Sequence, residues 1–122
     1  MSDELSKLPP NVQERLLRLQ QLQQTLQSLL AQKQQVEMEK NEVDQTIAEM
    51  TKTADDTVLY KSIGSLLVKS DKTTVSADLN DRKDLLVTRS AVIAKQEERI
   101  RSQVKETQTK LQEDINPLTG QQ

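Results

Sequence analysis

From Val12 onward, apolar residues recur at alternating intervals of three and four: Val12, Leu19, Leu22, Leu26, Leu29, Val36, Val43, Ile47, Met50 and Ala54. Only Arg15, Lys33 and Lys40 interrupt the series. A stripe of this period stays out of water only when a second helix lies along it, which commits the stretch to coiled coil. Leu8 precedes a proline, which disfavours helix there, and Pro9-Pro10 suit a first turn, so the first helix is expected over residues 9–53. A thinner stripe returns later, with Leu79, Leu86, Ile93 and Ile100 seven residues apart, followed by Val104 and Leu111. Ser70-Asp71-Lys72-Thr73 offers helix N-caps, and Asn116-Pro117 is expected to end the second helix, giving residues 73–116 and a tail over 117–122.

Between the two stripes lies ADDTVLYKSIGSLLVKSDK, residues 54–72. It holds the chain's one tyrosine, Tyr60, and Gly64, the only glycine away from the C-terminus. Asp55-Asp56 is a turn signal. Two β-branched runs, Thr57–Lys61 and Leu66–Lys69, flank Ser62-Ile63-Gly64-Ser65, the pattern of a β-hairpin in which Gly64 supplies a positive φ at or beside the turn. A lone hairpin is marginal in water and has two open edges, so this one calls for covering strands from other molecules. Tyr60 at a strand position reads as interface core. The register of the second strand stays open, because Leu66 and Leu67 point to opposite faces.

The hairpin turns the chain back, so the two helices pack antiparallel. One register aligns both stripes, with Ala54 opposite Leu79, Ile47 opposite Leu86, Met50 opposite Lys83, Leu29 opposite Val104 and Leu22 opposite Leu111. It also sets Glu97 opposite Val36, between Lys33 and Lys40. The expected fold is a mainly α chain: an antiparallel intramolecular two-helix coiled coil whose long helices are joined by a single β-hairpin, all within one domain spanning residues 1–122. The far ends carry more apolar residues than such a partner helix covers: Leu5, Leu8, Val12, Leu16 and Leu19, with Leu111, Ile115 and Leu118. Two readings stay open for them, a frayed or dimeric coiled-coil end and a surface that holds another apolar chain.

Composition narrows the function. With 34% hydrophobic, 1% aromatic and 30% charged residues, the chain lacks the bulk for an ordinary globular core. A net charge of −2 with a single aromatic gives no platform for nucleic acid. No stretch approaches a membrane span, and Met1–Lys7 lacks the regions of a signal peptide. Cysteine and histidine are both absent, which removes the commonest nucleophiles, general bases and transition-metal ligands. Asp55-Asp56 has no glycine-centred ligand loop around it, and Gly64 stands alone, without a phosphate-cradling loop. The chain reads as a non-enzyme without metal or cofactor, with an intracellular, cytoplasmic location.

The opening LPPNVQERLLRLQQLQQTLQSLLAQKQQVEMEKNEV, the junction ADDTVLYKSIGSLLVKSDK and AKQEERIRSQVKETQTKLQ, taken in this order, resemble the β-type subunits of archaeal prefoldin. The specific part is Val58-Leu59-Tyr60-Lys61, then Gly64, then Leu67-Val68-Lys69. An α-type subunit would carry two hairpins, and residues 54–72 have room for one. The resemblance implies a hexamer of two α-type and four β-type subunits whose hairpins join into an intersubunit β-barrel through Val58, Tyr60, Ile63, Gly64, Leu66 and Val68. It implies an ATP-independent chaperone that holds unfolded clients at the helix ends, on Leu5, Leu8, Val12, Leu16, Leu19, Leu111, Ile115 and Leu118, and passes them to a group II chaperonin. The rival is a structural or adaptor coiled coil in which the hairpin merely reverses the chain.

Overall fold

The computed structural model describes residues 6–119. Along the chain, helix α1 (Pro10–Lys52) is followed by strands β1 (Leu59–Ile63) and β2 (Leu66–Ser70) and by helix α2 (Lys72–Thr119). The two strands form a two-stranded antiparallel sheet. Two compact units emerge. The terminal unit joins the residues up to Gln32 to those from Ile93, and the hairpin unit is Lys33–Val92.

Local chemistry explains each boundary. Helix α1 opens with proline at its first position, where a missing N–H costs nothing. The Pro9 carbonyl accepts from the N–H groups of Val12 (3.0 Å) and Gln13 (3.1 Å), and the Gln13 amide reaches back to the Leu8 carbonyl at 2.7 Å. At the other end, Lys72 Nζ donates to the Thr53 carbonyl at 2.7 Å and pairs with Asp55 at 3.1 Å. A cation on the last carbonyls of a helix complements its dipole, so Lys72 clasps the base of the hairpin. The turn expected at Asp55-Asp56 is present, closed by Thr57 N–H donating to the Ala54 carbonyl at 3.1 Å. Helix α2 is capped by Asp71, whose carboxylate accepts from the Thr74 N–H at 2.7 Å. Hydrogen bonds from the Thr74 backbone, then its hydroxyl, hold the Asp71 carboxyl below its usual range.

Three expectations change. The strands pair as far as Ile63↔Leu66, so the turn is the two residues Gly64-Ser65, and β1 ends two residues later than Lys61. Gly64 has φ +58° and no other described residue has a positive φ, the signature of a type II′ turn, which matches the twist of the strands and lets the ladder run to the turn. Second, α2 continues to Thr119 through Pro117. In the last turn, proline deletes one hydrogen bond, to the carbonyl four residues earlier, and nothing beyond it depends on that bond.

The third change is the register, which is displaced by one heptad. In the terminal unit Leu22, Leu29 and Ile100 form the buried cluster, with Leu26 and Val104 packed against it. Leu22 therefore lies at the level of Val104, not Leu111, and Leu26 at the level of Ile100. Arg15 meets Asp114 at 3.1 Å. Glu97 falls beside Leu29 and accepts from Arg101 Nε at 2.9 Å. The hairpin unit shows the same step: Asp44 meets Lys83 at 3.0 Å, and Ile47, Met50, Ser76 and Leu79 line one open groove. Ala54, expected as a seam residue, lies beyond the helix and is exposed. Since α1 stops at Lys52, Ile47 and Leu79 make the first apolar layer of the hairpin unit.

In both units the seam splits into two lines. Leu22 and Leu29 are buried, as are Val36, Val43 and Met50, and on α2 Leu86, Ile93, Ile100 and Thr107. The intervening positions, among them Leu19, Leu26, Ile47, Val104 and Leu111, are half-buried. From Leu22 to Met50 on α1 two helices alone cover one line and leave the other at the rim, whereas at the start of α1 Val12, on the rim line, is itself buried. Lys33, Lys40 and Lys83 fall on this rim line and are half-buried there, and Lys83 is held by its ion pair with Asp44.

Candidate assembly and client-binding surfaces

The hairpin register assigns its side chains to faces. Leu59↔Ser70, Lys61↔Val68 and Ile63↔Leu66 share one face, and Tyr60↔Lys69 and Ser62↔Leu67 share the other. The open question between Leu66 and Leu67 is thereby decided: Leu66 joins Ile63 and Val68, and Leu67 joins Tyr60. The residues expected to assemble do not form one patch. Ile63, Leu66 and Val68 lie together, Tyr60 lies opposite, Gly64 makes the turn, and Val58 precedes β1 with its side chain 53% exposed. Leu67 was missing from that set, although at 72% it is the most exposed large apolar residue described. The alternation of a strand would have found it once the turn length was known.

Both faces are open. Tyr60, Ile63 and Leu66 are each more than half exposed and Val68 is 43% exposed, while the outer edge of each strand has no neighbour among the described residues. Uncovered apolar side chains on both sides of a two-stranded sheet are unstable in water and prone to pairing. One face is aimed by a specific contact: Lys61 Nζ donates to the Asp78 carboxylate on α2.

The terminal unit places its expected residues differently. Val12 is 1% exposed, so the expectation that its partner helix fails to cover it is overturned. One turn further along α1, Arg15 meets Asp114 of α2, the level that the heptad displacement sets for this end. Leu8, Leu16, Leu19, Leu111 and Ile115 are half-buried, and Leu118 is 54% exposed. Leu5 lies outside the described residues. Leu17, which the seam pattern does not pick out, is 56% exposed next to Leu16. Two cations border this apolar group, Arg15 in its pair with Asp114 and Arg18 beside it along the same groove.

Chemistry beyond contact finds little material here. Among the described residues no group of three or more acidic side chains converges as a metal site, and no helix is long and apolar enough to cross a membrane. What the two surfaces offer is apolar area, strand edges and charge.

Comparison with known proteins gives these surfaces a family. Residues 13–117 match the family model of prefoldin subunits. The chain is 46% identical over 112 residues to the prefoldin subunit beta of Methanothrix thermoacetophila, covering 92% of this chain and 93% of that one. It is 39% identical over 116 residues to the prefoldin subunit beta of Archaeoglobus fulgidus, covering 95% and 100%. The crystal structure of the prefoldin beta subunit from Thermococcus strain KS-1 superposes with a TM-score of 0.83 at 33% identity, over 91% of this chain and 97% of that one. Two long helices joined by a single hairpin, with similarity running nearly from end to end, place this chain in the prefoldin family, among its β-type subunits.

Proposed function

We propose that the chain is a subunit of a hexamer of two α-type and four β-type chains, which holds unfolded proteins without ATP and delivers them to a group II chaperonin. The observation that carries this reading is the hairpin, whose two faces expose Tyr60, Ile63, Leu66 and Leu67 with no cover of their own. Joining sister hairpins into a closed barrel removes the open edges and buries these residues. The terminal unit then presents Leu16, Leu17, Leu19 and Leu118, with residues near the chain ends, to clients. Each contact is weak, and several subunits acting on one client raise the effective concentration. The protein performs no reaction and needs no metal or cofactor; it works in the cytoplasm.

The deciding experiment mixes the chain with a two-hairpin α-type subunit. The product is sized, and light scattering of a diluted denatured protein is followed with and without it. A hexamer that suppresses scattering is expected. An adaptor coiled coil would stay a monomer or small dimer and leave the scattering unchanged, and that result overturns the proposal.

A further inference from the structure

Asp78, Leu85 and Val92 stand seven residues apart on α2, and a helix returns to nearly the same angle every seven residues, so the three share one line. Leu85 is 59% and Val92 49% exposed, and neither belongs to the seam. Lys61 reaches Asp78 from β1. Lys61 lies on the hairpin face that carries Leu59, Ile63, Leu66 and Val68, so the ion pair sets that face on the same side as the Asp78–Val92 line. Two exposed apolar surfaces of the hairpin unit thus open onto one angle, and the charge at its apex is paired.

Singly, exposed Leu85 and Val92 would need no explanation. Their continuity with the hairpin gives them one. A face of two five-residue strands measures only about 16 by 10 Å, against the roughly 800 Å² that each partner contributes to a specific interface. A subunit contact made by that face alone falls short, and the nearest uncovered apolar area on its side is the Leu85–Val92 line. We infer that this angle is part of the subunit interface and is occupied by a sister subunit of the same assembly. The occupant is a sister and not a client, because whatever fills the angle must also satisfy the adjoining strand edges, which only a strand in fixed register does. The inference rests on the proposed hairpin assembly and adds the helix face to it.

The test uses the full chain with its α-type partner, comparing wild type with Leu85→Glu/Val92→Glu. Both side chains are exposed, so far-ultraviolet helicity and the melting of the unassembled chain are expected to stay the same. Sedimentation should show the complex dissociating at concentrations at least about tenfold higher than wild type. A complex of unchanged mass and dissociation overturns the inference. So does a complex that stays whole but protects a denatured client less well, since the surface would then belong to clients. A Tyr60→Asp/Val68→Asp variant separates the two levels. If it dissociates while the helix-face variant does not, only the helix face is excluded. If it too remains assembled, the hairpin reading falls with it.

Discussion

In the terminal unit several leucines outside the buried line, Leu8, Leu16, Leu19 and Leu111, are half-buried, while Leu17 and Leu118 stand more than half exposed. In the hairpin unit Tyr60, Ile63, Leu66, Leu67 and Leu85 all stand more than half exposed. Both units bury similar seams: Leu22, Leu29 and Ile100 in one, Val36, Val43, Met50 and Leu86 in the other. The difference lies in what is left over. A two-helix end tucks part of its surplus leucine surface against its own partner helix, leaving a graded surface. A two-stranded sheet has no third layer to tuck anything against, so its surplus stays fully presented and suits one strong, geometrically defined partner.

The largest effect should come from the hairpin. Ile63→Asp/Leu66→Asp should abolish assembly on a sizing column while helicity persists, and Tyr60→Asp/Leu67→Asp tests the opposite face in the same way. Were both pairs harmless, the distinction drawn between the units would be gone. Next is the seam: Leu86→Ala, at a side chain 2% exposed, should destabilise the folded chain by about 2–5 kcal/mol in chemical denaturation. Leu16→Ser in the terminal unit should barely change that stability and instead reduce client protection in the scattering assay. An equal loss of stability at Leu16 would mean that the half-buried leucines are core and not contact surface.

Smaller effects sharpen the picture of how the hairpin is held. A Cβ at Gly64 would meet nothing within 4 Å, so Gly64→Ala acts only through its φ of +58°. The cost is about 1–2 kcal/mol, read as a lower melting temperature of the assembled protein and not of its helices. The smallest effect is at Asp71. Its carboxyl titrates below its usual range in the folded chain, so its capping contribution is present above a pH of about 4 and is lost as pH falls through the folded value. Asp71→Ala should therefore lower the melting temperature slightly at neutral pH, with the difference from wild type vanishing on acidification. A difference that persisted in acid would show that the cap does not act through its charge.

Much of this molecule is determined by local pattern. The alternating three-and-four spacing specifies two long helices, Gly64 between β-branched runs specifies a hairpin, and the absence of histidine and cysteine removes whole classes of chemistry. Pro9-Pro10 and Asp71 mark the helix starts because a missing donor and a capping carboxylate act over a single turn. Register was beyond that reach. A seven-residue repeat matches itself equally well after a slip of one heptad, so the stripes alone accept Leu22 opposite Leu111 as readily as opposite Val104. The choice is made where α1 stops at Lys52, where Lys72 clasps the Thr53 carbonyl, and where Ile47 and Leu79 form the first layer. In the terminal unit Val12 is buried and Leu118 lies in solvent. Side-chain periodicity belongs to each helix separately, whereas which turn meets which depends on the length and closure of the segment that connects them.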